Sequence, residues 1–195
     1  VDVAIMDEND IELPNGSVGE IAIKGSTVID RYYDDAEANE SLFRQGWFYT
    51  GDLGWVDNDG FLFLTGRKKE MINKGSEKIL PQEIEEVIIT HPDVIEVAVF
   101  AYPHSRLGED IAAAIVSKNN LTHAEIKFFV AKHLAPYKIP RLILFVDEIP
   151  KSSTGKIQRN QLYKHFFDTG FIKTEFINES DLNPLELQIA DVWKE

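Results

Sequence analysis

The chain has 195 residues, 44% hydrophobic and 11% aromatic, which is enough apolar material for one large or two small packed cores and too much for wholesale disorder. A formal charge of −13 argues against nucleic acid as a general partner, because gripping a phosphate backbone needs a basic face. The lack of cysteine excludes disulfides and thiolate metal sites, and is compatible with a cytoplasmic setting.

In chain order, residues 1–65 read as short strands and turns. Val1 to Met6 alternates weakly, Pro14-Asn15-Gly16 is a turn, and Gly19 to Gly25 is a second strand with glycine at both ends. A short helix is predicted over residues 34–43. Trp55 to Leu64 reads as a hairpin whose turn is Asp59-Gly60. From Gly66 the pattern becomes α+β. Pro81 opens a helix with Glu83, Glu85 and Glu86 in its first turns, where carboxylates suit the positive end of the dipole, and Ile84, Val87 and Ile88 form its apolar stripe. His91-Pro92-Asp93 ends it. Residues 94–101 and 111–116 read as strands. Thr122 with Glu125 forms a capping box for a helix running to His133. Residues 142–146 make a third core strand and residues 158–167 a final helix, so two helices against a three-stranded sheet form a small core. Beyond Asp168 the composition is linker-like until an amphipathic helix over 184–195, with Leu185, Ile189, Val192 and Trp193 near one face.

No charged-then-apolar leader and no apolar run of about eighteen residues occurs, so neither a signal peptide nor a membrane span is expected. The five histidines form no metal-spaced pair on one helix, and no metal ligand is assigned. His104-Ser105 with Asp110 invites a triad reading, but closeness in sequence is not triad geometry, and a polar loop is the expectation there.

Three segments carry chemistry. Pro150-Lys151-Ser152-Ser153-Thr154-Gly155-Lys156 puts a lysine on a loop of small residues, where backbone can approach an anionic ligand closely. It is not a Walker loop, since no glycine lies at the required distance before Gly155 and Ile157 replaces the hydroxyl residue. Tyr49-Thr50-Gly51-Asp52-Leu53 places a carboxylate after a glycine turn. Gly66-Arg67-Lys68-Lys69-Glu70-Met71-Ile72 leads through Lys74, Gly75, Ser76 and Lys78 to Pro81-Gln82-Glu83-Ile84-Glu85. Arg67, Lys68, Lys69, Lys74, Lys78, Lys151 and Lys156 concentrate positive charge in these segments of an acidic chain.

In order and spacing the three segments resemble the C-terminal part of the adenylate-forming enzymes, the superfamily of acyl-CoA synthetases, peptide-synthetase adenylation domains and luciferases. The resemblance covers about residue 1 to residue 167. It implies an α+β fold: residues 1–65 as a small β-barrel-like end of a large N-terminal domain, residues 66–168 as a compact lid domain with a three-stranded sheet, and residues 169–195 as a linker and the first helix of a carrier domain. It also implies that the phosphate-gripping loop and the acid pocket precede residue 1, so that this segment alone is inactive.

The implied activity is an AMP-forming acid–thiol ligase. ATP, with Mg2+ held mainly outside this segment, activates a carboxylic acid as acyl-AMP. The acyl group then passes to a pantetheine thiol, on a carrier protein in cis or, alternatively, on CoA in a free-standing ligase. A non-catalytic interaction module that kept the fold is the competing class. The resemblance assigns Lys156 to bridging the attacking carboxylate and the nucleotide, Asp52 and Arg67 to the ribose, Lys69 to a hinge, and Gly75 and Ser76 to the thiol-tunnel loop. Ser76 stands where the family has glycine, which raises the question of whether its side chain narrows the tunnel.

Overall fold

The computed structural model describes residues 1–172, and the predicted helix over 184–195 lies outside the described residues. The chain forms two compact units that divide between Met71 and Ile72.

The first unit is built on strands β1 (Asp2–Met6) and β2 (Gly19–Lys24), a short helix α1 (Ala36–Leu42), and strands β3 (Phe43–Arg44), β4 (Trp47–Val56) and β5 (Leu62–Arg67). All pairings are antiparallel, in the order β1-β2-β4, with β3 and β5 following one another along the far edge of β4. Register shifts at Glu20/Ala22 in β2 and at Leu53/Gly54 in β4 add twist and curl the sheet into a barrel-like form. Gly54 is required at the second shift. A Cβ there would lie 2.4 Å from the Phe63 carbonyl oxygen and 2.9 Å from Ile21 Cδ1. The predicted β4–β5 hairpin turns on Asp57, whose carboxylate accepts the Asp59 and Phe61 N–H groups at 3.0 and 2.8 Å, with Gly60 at φ +86°. One buried cluster of this unit is Ala4, Met6, Ala22 and Tyr49, with Trp47 against it, and Ile5, Ile21 and Leu53 are buried as well. Gly66 and Arg67 complete β5, so their motif begins inside the first unit.

The second unit contains a hairpin of β6 (Ile72–Lys74) and β7 (Glu77–Ile79), helix α2 (Pro81–Ile88), strands β8 (Val94–His104) and β9 (Gly108–Ser117), helix α3 (His123–Ala131), strand β10 (Leu142–Phe145) and helix α4 (Arg159–Asp168). The three predicted long strands form its centre, with β8 antiparallel and β10 parallel to β9. The β6–β7 hairpin extends the sheet to five strands by joining β9 beside β10 at Lys74 and Gly108.

Both faces of this sheet are covered, and the residues of β9 divide accordingly. Ile111, Ala113 and Ile115 face Ile84 and Ile88 of α2 and Ile126 and Val130 of α3. Ala112 and Ala114 face the opposite way, with Phe100 and Tyr102 of β8, toward Leu162 and Phe166 of α4. Burial on two sides explains why β9 reads as an unbroken apolar run and not an alternating one. It also corrects the expectation of two packed helices to three, two on one face and one on the other. The α3 capping box is present: Thr122 Oγ1 accepts the Glu125 N–H at 3.2 Å, and Glu125 Oε2 accepts the Thr122 N–H at 2.9 Å.

Candidate functional site

In the first unit, Asp52 and Arg67 sit directly opposite one another on β4 and β5. Arg67 Nε donates to Asp52 Oδ1 at 2.9 Å. The turn that presents Asp52 is locked from behind: Thr50 Oγ1 donates to the Ile21 carbonyl at 3.0 Å and accepts the Asp52 N–H at 3.1 Å, and Gly51 takes φ +74°. The Asp52 side chain is one-third exposed and that of Arg67 nearly two-thirds, so the carboxylate keeps acceptor capacity and the guanidinium keeps donors for a ligand.

Lys68 and Lys69 lie on a single 3₁₀ turn, Lys68–Glu70, at the end of this unit. Their side chains differ in state. Lys68 Nζ donates to the buried Glu20 carboxylate at 2.7 Å, and Glu20 also lies 3.6 Å from Arg44, whose guanidinium covers the Tyr49 ring at 3.6 Å. Burial and the Asp10 carboxylate push the Tyr49 hydroxyl up to about 12, so it stays protonated within this charged cluster. Lys69 is exposed and pairs with no acidic side chain among the described residues.

In the second unit, Lys156 stands on a loop closed by Ser152. The Ser152 N–H donates to the Lys156 carbonyl at 2.8 Å, the Gly155 N–H to the Ser152 carbonyl at 2.8 Å, and the Lys156 N–H to Ser152 Oγ at 3.2 Å. Ser152 Oγ and Thr154 Oγ1 are 2.9 Å apart, and Gly155 takes φ +77°, which explains the small and hydroxyl residues of the motif. These bonds use Lys156 backbone only. Its side chain is exposed and makes no ion pair with a described residue. An open cleft of about 600 Å³ lies beside the loop, lined by Pro150, Lys151, Ser152, Gln158 and Leu162 among others.

Gly75 and Ser76 form the two-residue turn of the β6–β7 hairpin, between the paired Lys74 and Glu77. Gly75 takes φ +62° and Ser76 does not take a positive φ, the pattern of a type II′ turn with glycine first. Gly75 therefore supplies the conformational freedom, and the exposed Ser76 needs none.

Six of the seven cations of the motif segments separate into two kinds. Arg67, Lys68, Lys74 and Lys151 are held by Asp52, Glu20, Asp110 and Glu96. Lys156 and Lys69 are presented to solvent. Two acidic residues of α2, read from sequence as dipole partners, also make tertiary contacts: Glu83, in the first turn, bonds Lys138, and Glu85 bonds Arg159 and the Val99 N–H. The expected polar loop is confined to residues 105–107, the turn joining β8 and β9, while Asp110 lies within β9 and is 1% exposed. Only a partner remote in sequence makes that burial affordable, so no local pattern announces it.

These features coincide with known proteins. The AMP-binding enzyme C-terminal domain matches residues 83–156. The oxalate–CoA ligases of Arabidopsis thaliana and Saccharomyces cerevisiae are 42% and 45% identical over 170 residues, covering 86% and 85% of this chain but 33% and 31% of their own lengths. Among solved structures, ATP-bound MatB from Rhodopseudomonas palustris superposes with a TM-score of 0.80 at 34% identity, covering 86% of this chain and 34% of that one. The o-succinylbenzoate CoA synthetase of Bacillus subtilis with its acyl-adenylate intermediate gives 0.76 at 34% identity, covering 83% and 33%. The chain belongs to the adenylate-forming enzymes and carries a C-terminal portion of them. It spans about a third of the length of these relatives. Among the described residues no helix is long and apolar enough to cross a membrane.

Proposed function

We propose that this chain is the C-terminal part of an ATP-dependent ligase that joins a carboxylic acid to the thiol of CoA. The observation that carries the reading is Lys156: an exposed ammonium that pairs with no described residue, on a hydrogen-bonded loop, in a chain whose similar proteins are CoA ligases. In the first step the acid's carboxylate attacks the α-phosphorus of ATP and pyrophosphate leaves. Negative charge crowds at that phosphorus, and a cation delivered there stabilises the transition state electrostatically. Lys156 fills that role. Bound Mg2+ would supply charge neutralisation at the phosphates, with its ligands expected mainly outside this segment.

Asp52 and Arg67 take the ribose. An ionised carboxylate accepts from two vicinal hydroxyls while the guanidinium beside it donates, so their 2.9 Å pairing aims complementary groups at one sugar edge. In the second step the CoA thiolate attacks the acyl carbonyl and AMP leaves. Lys69 is the pivot that lets the second unit withdraw Lys156 and bring the Gly75 and Ser76 turn toward the thiol. CoA replaces the carrier protein expected from sequence as the favoured acceptor, because the relatives are named as CoA ligases.

The test uses the full-length protein. Acid-dependent ATP–pyrophosphate exchange, followed by AMP release on adding CoA, supports the reading. Exchange that proceeds to product only with a pantetheine-loaded carrier protein would return the acceptor to a modular synthetase. Loss of exchange across fatty, aryl and dicarboxylic acids would leave a non-catalytic module.

A further inference from the structure

The buried Lys74–Asp110 pair has no part in either step as derived above. Lys74 Nζ lies 2.7 Å from Asp110 Oδ1, with the two side chains 17% and 2% exposed. Withdrawing two charges from water costs several kcal/mol, and an apolar pair of similar size often stabilises a fold as well. Such a pair therefore contributes geometry more than stability.

Its location says what geometry. Lys74 is the last residue of β6, immediately before the Gly75 and Ser76 turn, and the hairpin has only three residues per strand. A hairpin of that length does not hold its own position. Its base is fixed by Ile72 and Ile79, both fully buried. Its tip is fixed by the start of β9 and the turn before it. The Gly75 N–H donates to the Leu107 carbonyl at 2.8 Å, the Asn73 N–H to Glu109 Oε2 at 2.7 Å, and Lys74 pairs with Gly108 across the strands.

The 104–108 turn is itself organised by a neutral imidazole. His104 Nδ1 accepts the Arg106 and Leu107 N–H groups, each at 3.2 Å. Burial holds His104 below the usual histidine range against the opposing pull of Asp110, which keeps that nitrogen free to accept. Tyr102, opposite Asp110 on β8, is buried and kept protonated, chiefly by burial and also by the Asp110 charge. Asp110 is paired with Lys74 in a neighbourhood that also holds the Arg141 and Arg106 charges, which act on His104.

We propose that Asp110 is a positioning residue for thioester formation: through Lys74 it sets the place of the Gly75 and Ser76 turn against the incoming thiol. This rests on the ligase reading and adds a residue that acts in the second half-reaction through another side chain. Losing the anchor displaces the turn by a fraction of a turn's width, which costs the transfer step about 10- to 100-fold, since displacements near 1 Å carry penalties of that size.

The experiment measures both half-reactions in the full-length enzyme for D110N, K74M and K74R. D110N and K74M are expected to lower kcat/KM for CoA by about 10- to 100-fold while acid-dependent pyrophosphate exchange changes by less than about threefold. K74R keeps a cation on Asp110 and is expected to retain most of the transfer rate. If D110N fails to fold, the K74M and K74R contrast carries the same test. Wild-type transfer to CoA in both D110N and K74M, or equal loss of both half-reactions in folded K74M, overturns the assignment. A wild-type enzyme without exchange or CoA thioester formation refutes the ligase reading itself and is recognised before any variant is compared.

Discussion

Removing the Arg159 guanidinium tests how the lysine loop is held. Arg159 opens α4, three positions after Lys156, and grips Glu85 of α2 in a two-point contact: NH2 to Oε2 at 2.7 Å and Nε to Oε1 at 3.1 Å. Glu85 Oε1 also accepts the Val99 N–H at 2.7 Å on the edge of β8 away from β9. One carboxylate thus ties two helices on opposite faces of the sheet to its edge strand. The two side chains are 16% and 14% exposed, so water replaces the lost partner poorly.

Arg159→Met keeps the aliphatic stem and removes the charge, leaving Glu85 with a single N–H. Breaking a buried pair from one side costs about 3 kcal/mol at the low end of such measurements. Replacing both partners, as Glu85→Met with Arg159→Met, removes the stranded charge and leaves an orphaned Val99 N–H, at about 1–2 kcal/mol. The double variant is therefore more stable than the single one. Urea unfolding followed by far-ultraviolet circular dichroism reads this as a midpoint shift of about 1–2 M for Arg159→Met and about half that for the double variant. A single variant within about 0.5 kcal/mol of wild type, or a double variant worse than the single, would mean that Glu85 is not stranded when Arg159 is removed.

Two further outcomes follow from the geometry. Gly54→Ala drives a Cβ into the Phe63 carbonyl and Ile21, so the first unit loses about 2 kcal/mol or more, with the Trp55 fluorescence transition moving to lower denaturant; an unmoved transition contradicts the close approach. His104, held below its ordinary value of 6.5 by burial, binds fewer protons folded than unfolded, so its contribution is full above 6.5 and declines as pH falls through the folded value. His104→Asn keeps an acceptor near the turn N–H groups without titrating and flattens stability against pH below 6.5; an unchanged slope contradicts the neutral-acceptor role.

Legibility in the sequence tracked how local each cause is. The Thr122 and Glu125 box, the Asp57 to Gly60 turn and the three long strands are set by neighbours a few residues apart, and all appear in the structure. The motif residues Asp52, Arg67 and Lys156 were visible as types at positions, and the resemblance supplied their expected roles. Their physical sorting was not visible. Lys68 and Lys69 are adjacent and identical in sequence, yet one is tied to Glu20 and the other presented to solvent, because Glu20 lies on β2 far upstream. Ser76 stood out as a departure, but only the turn geometry reveals that Gly75 supplies the left-handed residue. Three-residue strands such as β6 and β7 carry too few alternations to register as strands. Asp110 looks like a polar lead-in to an apolar run until Lys74 is brought beside it.

In the proposed mechanism Lys156 serves the first chemical step and not the second. Lys156→Ala in the full-length enzyme leaves the loop intact, since its closing bonds use the backbone of residue 156 and the side chain of Ser152. Acid-dependent pyrophosphate exchange is then expected to fall about 10²- to 10³-fold, while transfer from a supplied acyl adenylate to CoA persists. Exchange at the wild-type rate in that variant, with acid and ATP still consumed, would contradict the account.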